Sequence, residues 1–181
     1  WVMSGERDPA AITRPTVSLL RHGVELITSE VRGIDVTRGV VEVDSGPLSY
    51  DFLVVALGAE MAPDLVPGLA AAHTFYTLEG AVRLRDSLQQ FSGGTIAIVV
   101  SSVPYKCPGA PHEGAMLIAD TFRRRGMRQK VDMHLFTPEP QPMPVAGPEL
   151  GHAVRSMLDS SGVGFHPGYK LKEVLPEKGE L

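Results

Sequence analysis

The segment VPYKCPGAPHEGA, Val103 to Ala115, concentrates the residue types able to do chemistry. At its centre is Cys107, the one cysteine of the chain. A thiol reacts as its thiolate, which a helix N-terminus and nearby cations favour. Cys107 stands just before an expected helix, Lys106 adjoins it, and His112 follows a few residues on. Those features suit a reactive sulfur. A free cysteine also serves as a small buried hydrophobe, and position and neighbours leave both roles open. Glu113 falls in the first turn of the same helix. A carboxylate there complements the dipole, and beside a thiol it would also act as proton donor or acceptor.

Position gives this segment its meaning. It fills the turn between an apolar strand, Thr95 to Val100, and a helix expected over Pro111 to Arg125 with Ala115, Ile118, Ala119 and Phe122 on one stripe. A second strand follows over Val131 to Phe136. Strand, helix, strand is the pattern of a parallel pair joined by a right-handed crossover. In a Rossmann unit this turn holds G-x-G-x-x-G, which lets backbone amides approach a pyrophosphate. Here Ser101, Ser102, Pro104, Lys106 and Cys107 occupy it, and two prolines remove donors. The expectation is a dinucleotide-binding shape with a poor nicotinamide site.

The other elements are expected around this unit. Thr77 caps a helix from Leu78 to Phe91 with Ala81, Leu84, Leu88 and Phe91 on one face, closed by Gly93-Gly94. A helix over Pro148 to Ser161 turns Leu150, Val154, Met157 and Leu158 inward. Gly164 to His166 and Tyr169 to Leu175 read as strands. Upstream, Val17 to Leu20 reads as a short helix closed at His22-Gly23. Val24 to Thr28, Val31 to Val36 and Val40 to Val43 read as an antiparallel meander. Phe52 to Gly58, FLVVALG, reads as a strand buried on both faces. Its exit through Ala56, Gly58 and Ala59 suits close approach of another group to the backbone. The fold class is thus α/β: a Rossmann-like domain with a parallel sheet over 77–181, and a partial second domain with a small meander over 1–76.

Bulk properties narrow the function. Hydrophobic residues make up 43% and charged residues 21%, as in ordinary globular chains. The formal net charge of −4 argues against a nucleic-acid binder. The basic run Arg123, Arg124, Arg125, Arg128 and Lys130 is expected to be a solvated helix end. One cysteine excludes an intrachain disulfide scaffold. Six histidines without i, i+4 pairing argue against a metal site. No apolar run approaches the roughly 20 residues that cross a bilayer. Trp1-Val2-Met3-Ser4 does not read as a signal peptide. Trp1 at the start, and a hairpin turn at Lys178-Gly179 with two residues left, read as an excised piece.

YDFLVVALGAE, Tyr50 to Glu60, resembles the Y-D-x-L-V-x-A-T-G segment of flavoproteins with two dinucleotide domains. PYKCPGAPHEGAMLIADTFRRRG resembles the active-cysteine segment of sulfide:quinone oxidoreductases and of the flavoprotein subunit of flavocytochrome c sulfide dehydrogenase. FTPEPQPMPVAG and GFHPGYKLKEV also look like that group, so the resemblance covers nearly the whole chain. It implies an FAD enzyme that oxidises sulfide or a small sulfur compound and passes electrons to quinone or a cytochrome. It implies that Cys107 is the nucleophile or sulfur carrier and Glu113 its acid/base partner. FAD contact would carry over to Val31, Ala56, Leu57 and Gly58. The parent is then expected in the cytoplasm or peripheral to a membrane, with a homo-oligomer compatible with the group. Leu57 replaces the usual threonine of the first motif. The FAD glycine fingerprint and the partner cysteine are absent, so this stretch alone is expected to bind FAD weakly and to be inactive. Two alternatives stay open: an NAD(P)H-dependent flavoprotein reductase of the same architecture, and a non-catalytic dinucleotide-fold binding module.

Overall fold

The computed structural model of the chain describes residues 1–20 and 23–181, with Leu19 described by its backbone alone. The glycine-closed helix end expected at His22 lies outside the described residues; just before it, Thr16–Leu19 forms a short 3-10 turn. Two compact units form: Thr13–Glu60, and Trp1–Ile12 together with Met61–Leu181. These differ in extent from the segments 1–76 and 77–181. The reason is packing: Val2 and Met3 belong to the same apolar core as the Rossmann-like elements, and Phe75 packs against it.

The smaller unit is a three-stranded antiparallel sheet, β1 (Val31–Asp35), β2 (Val40–Val43) and β3 (Gly46–Ser49), in the order β1-β2-β3. The Asp35 carboxylate accepts from the backbone N–H groups of Thr37 and Arg38 at 3.0 and 2.9 Å, which turns the chain into β2. Pro47 sits opposite Glu42 on β3, an edge strand, where its missing N–H breaks no interior ladder.

The meander is therefore not the one expected. Val24 to Thr28 forms no strand, and Gly46–Ser49 supplies the third. Phe52 to Gly58 is not a buried strand either: it forms no strand, and Phe52, Val54 and Leu57 are 94%, 87% and 79% exposed. An apolar run becomes a strand only when neighbours take its N–H and C=O groups. Here β3 has already taken the free edge of β2, and no ladder includes 52–58.

In the larger unit, β4 (Gly94–Val99), β5 (Val131–Thr137) and β6 (Val163–Pro167) form a parallel sheet in sequential order. Ile96 pairs in register with Met133, and Leu135 with Phe165. The helices are α1, one turn over Pro9–Ile12, then α2 (Leu78–Gln90), α3 (Ala110–Arg124) and α4 (Pro148–Ser160). Thr77 caps α2, its Oγ1 accepting from Gly80 N–H at 3.0 Å. At the end of α3, Gly126 takes φ +66° and Met127 N–H reaches back to the Phe122 carbonyl at 2.8 Å, which closes the helix.

The period of 2 in β5 puts Val131, Met133, Leu135 and Thr137 on one buried face. Ala115, Ile118, Ala119 and Phe122 of α3 and Val154 and Leu158 of α4 are buried in the same core. Two α4 assignments need correction: Leu150 and Met157 are 45% and 55% exposed, and Gly151 is buried in their place. Gly151 admits no side chain, because a Cβ there would lie 2.9 Å from the Pro142 carbonyl oxygen. Tyr169 to Leu175 is not a strand; only Leu175 bridges to Glu180 across the Lys178-Gly179 turn.

The basic run is structural. Arg125 donates to the carbonyls of Leu88, Gln89 and Phe91, and Arg128 to those of Val131, Ser161 and Gly162. Arg123 pairs with Asp120, and Arg124 with Glu6 and Asp120. Orphan carbonyls at element ends thus take up the cations that could otherwise have met a phosphate.

Among the described residues, His112 is the one titratable residue with a large, fully buried side chain. Burial pushes its imidazole below the usual value, while the Pro108 carbonyl and the Glu139 charge pull the other way. The unfolded chain then binds a proton that the folded chain resists. Stability from this group is therefore intact above about pH 6.5 and falls as pH drops below it. Urea unfolding between pH 8 and 5.5 should show that fall, and His112→Gln should flatten it; an unchanged slope in the variant would reject the assignment. Leu135→Ala, at a fully buried position, should cost about 2–5 kcal/mol in the same measurement. Val54→Ser should stay within about 0.5 kcal/mol.

Candidate functional site

The turn from β4 to α3 presents Cys107. Its side chain is exposed and free, so the buried-hydrophobe role does not apply to it. Its backbone takes φ +56°, the left-handed region that non-glycine residues rarely adopt. The Cys107 carbonyl accepts from Ala110 N–H at 3.0 Å, which couples the cysteine to the first residue of α3. The sulfur is thus held at the helix entrance, on the side of the positive dipole end.

Two loops and the first turn of α3 meet this turn. The Tyr105 hydroxyl donates to Glu139 Oε2 at 2.7 Å and lies 3.4 Å from the Pro108 carbonyl oxygen. His112 Nδ1 lies 3.1 Å from that same oxygen. Facing a carbonyl, Nδ1 must carry the proton, which leaves Nε2 as a buried acceptor with no partner among the described residues. Lys106 does not stand free beside the thiol: its ammonium lies over the Tyr76 ring, 5.6 Å from the centroid. The Tyr76 hydroxyl oxygen is buried and also without a partner among the described residues.

The electrostatics keep both phenols protonated. Burial raises Tyr76 above its ordinary value, and the charge of Cys107 adds to the effect. Burial raises Tyr105 strongly, helped by the hydrogen bond and the charge of Glu139 and, less, by Tyr76 and Cys107. The Tyr105 O–H is committed to Glu139 as a hydrogen-bond donor. Tyr76 keeps an O–H with no partner among the described residues, within electrostatic range of Cys107.

Glu113 lies in the first turn of α3, exposed, with a backbone N–H that donates to Gly109 at 3.0 Å. It and Cys107 belong to the larger unit, while Val31, Ala56, Leu57 and Gly58 belong to the smaller one. Val31 lies on β1 opposite Val43. Ala56, Leu57 and Gly58 are exposed, and Gly58, at φ +74°, has nothing within 4 Å of where a Cβ would stand. The backbone at Gly58 is thus open to close approach of another group.

Sequence reasoning missed Tyr76, Tyr105 and Glu139. Tyr105 was visible two residues from the cysteine, but its partner lies 34 residues away in the loop after β5, and no local pattern links them. A second grouping was also invisible. His134 and His166 meet across β5 and β6 at 2.9 Å, and Asp132 Oδ2 lies 3.0 Å from His134 Nε2. His166 also stacks on Phe136, with centroids 4.4 Å apart. Among the described residues no group of three or more such side chains could hold a metal ion.

Residues 81–135, which contain the cysteine turn and α3, match the family model described as the central part of the sulfide dehydrogenase (flavocytochrome c) flavoprotein chain. Over 99% of its length the chain is 25% identical to a mitochondrial sulfide:quinone oxidoreductase of Mus musculus, covering 42% of that protein. It is 30% identical to a sulfide-quinone reductase of Aquifex aeolicus over 71% of the chain and 31% of the relative. It is also 32% identical to an alternative NAD(P)H-ubiquinone oxidoreductase of Arabidopsis thaliana over 81% of the chain and 31% of the relative. The chain thus spans less than half the length of these relatives. In fold it superposes on the Aquifex aeolicus sulfide:quinone oxidoreductase with a TM-score of 0.74 at 24% identity, covering 97% of this chain and 42% of that one. The matched segment lies on the turn that carries Cys107, and in sequence and fold the chain is similar to sulfide:quinone oxidoreductase flavoproteins.

Proposed function

We propose that the full-length protein is an FAD-dependent oxidoreductase that oxidises sulfide, or a small sulfur compound, and passes the electrons to quinone or a cytochrome. The observation that supports this best is the exposed sulfur of Cys107, held at the mouth of α3 inside the segment that matches the sulfide dehydrogenase model. Bound FAD supplies the two-electron acceptor.

The steps assigned to this chain are few. Cys107 as thiol and hydrosulfide combine to a persulfide: an S–S bond forms, the thiol S–H bond breaks, and one proton and two electrons leave. Glu113 takes the proton. The Tyr76 phenol, kept protonated by burial, stays within electrostatic range of the sulfur. Val31, Ala56, Leu57 and Gly58 contact the cofactor. Among the described residues no helix is long and apolar enough to cross a membrane.

A second reading, an NAD(P)H-dependent reductase, draws on the 32% identity to the plant NAD(P)H-ubiquinone oxidoreductase. The turn Ser101 to Pro108 speaks against it, since it lacks the glycines a nicotinamide dinucleotide needs.

Stopped-flow absorbance of the purified full-length protein separates these. Sulfide should bleach the flavin faster than NADH does, and Cys107→Ser should abolish the bleaching by sulfide. Equal rates in wild type and variant would reject the role of Cys107. Glu113→Gln should slow flavin reduction by about 100-fold and remove one limb of its pH profile, as loss of a general base does.

A further inference from the structure

We propose that Tyr105, anchored by Glu139, is a positioning residue for Cys107. The inference rests on the reading of Cys107 as the reacting sulfur and adds what keeps that sulfur in place.

A cysteine at φ +56° stays there only if its surroundings hold it, because that conformation is uphill for any residue with a Cβ. Two side chains, one on each side of the cysteine, reach the carbonyl of Pro108. His112 Nδ1 donates to the Pro108 carbonyl at 3.1 Å, and the Tyr105 hydroxyl lies 3.4 Å from the same oxygen. His112 is part of α3 and moves with it. Tyr105 lies on the near side of the cysteine and needs a fixed partner of its own.

Glu139 is that partner. It follows β5, and its own backbone is tied down twice. Its N–H donates at 3.2 Å to Oγ1 of Thr137, a fully buried residue. Its carbonyl accepts from Gly168 N–H at 3.4 Å, just beyond β6. The 2.7 Å hydrogen bond from Tyr105 therefore ties the cysteine turn to the C-terminal ends of β5 and β6. It is charge-assisted, the stronger kind of hydrogen bond. With Tyr105 tied to Glu139 two residues before the cysteine, and the Pro108 carbonyl held by His112 just after it, Cys107 is bracketed between the sheet and α3. The thiol faces outward as a result.

Glutamine would preserve this arrangement, since its amide oxygen accepts from the Tyr105 hydroxyl as a carboxylate does. Alanine would not. That difference separates a positioning hydrogen bond from mere bulk in the loop.

The test is the rate at which iodoacetamide alkylates Cys107 in the intact chain at about pH 9.5, a unit above the ordinary thiol value, so that ionisation does not limit the rate. Tyr105→Phe and Glu139→Ala should each slow alkylation by about threefold or more, the population change that loss of one hydrogen bond brings. Glu139→Gln should stay within about twofold of wild type by the same measure. The double variant Tyr105→Phe with Glu139→Ala should be no slower than the slower single, because both act through one bond. Wild-type or faster rates in Tyr105→Phe and Glu139→Ala would overturn the proposal. So would effects that multiply in the double variant, or a Glu139→Gln as slow as Glu139→Ala. Circular dichroism melts accompany each variant, and if one does not fold, the other single and Glu139→Gln decide. Alkylation needs neither flavin nor sulfide. A negative result here leaves the flavin-reduction experiment standing, and failure of that experiment leaves this one standing.

Discussion

The structure around the cysteine depends on one constraint: parallel strands cannot be joined by a tight turn. Going from β4 to β5 in the same direction requires a crossover, and α3 provides it. The chain must therefore leave β4, bend, and enter a helix within a few residues. That bend is where the amide-rich, positive end of the helix meets solvent. It is also fixed in space, because α3 buries Ala115, Ala119 and Phe122 in the core it shares with Met133, Leu135 and Leu158. A reactive group placed in the bend inherits the rigidity of that core, with each fully buried apolar side chain contributing about 1.5–3 kcal/mol.

Gly114 shows how closely that helix is seated. A Cβ there would stand 2.7 Å from the Phe75 ring, so α3 lies against the segment before α2 with no room for a methyl group. Phe75 stacks on Tyr76, and Tyr76 carries Lys106 over its ring. A small residue inside the helix thus brings the Tyr76 phenol and its unpartnered hydroxyl to the cysteine turn. Packing and polar chemistry at this site are two ends of one chain of contacts.

The same physics explains why the bend suits sulfur chemistry better than a nucleotide. A pyrophosphate needs several free amides converging on it. Pro104 and Pro108 remove two, and the Cys107 carbonyl occupies Ala110 N–H. What remains is a single exposed thiol at positive φ, two phenols that burial keeps protonated, and a carboxylate already committed to one of them. Such a set can stabilise an anion at one atom, which is the demand made by a sulfur nucleophile and not by a dinucleotide.

The sequence by itself determined the elements whose signals are local. The cap at Thr77, the apolar stripe of α3, the closing Gly126 and the alternation in β5 each rest on neighbours a few residues apart, and each formed within a residue or so of its expected limits. The Cys107 segment stood out for the same reason, its residue types being side by side in the sequence. Only the tertiary structure decided what depended on distant partners. Phe52 to Gly58 has the composition of a buried strand, yet strandedness is a property of a pair, and no ladder formed along it. Gly46–Ser49, with its glycine and proline, became a strand because the free edge of β2 was adjacent. Tyr105 met Glu139, and His134 met His166, across 34 and 32 residues. Those meetings are fixed by strand order and register, which arise from burying one face of the whole sheet at once and leave no trace in any short stretch of sequence.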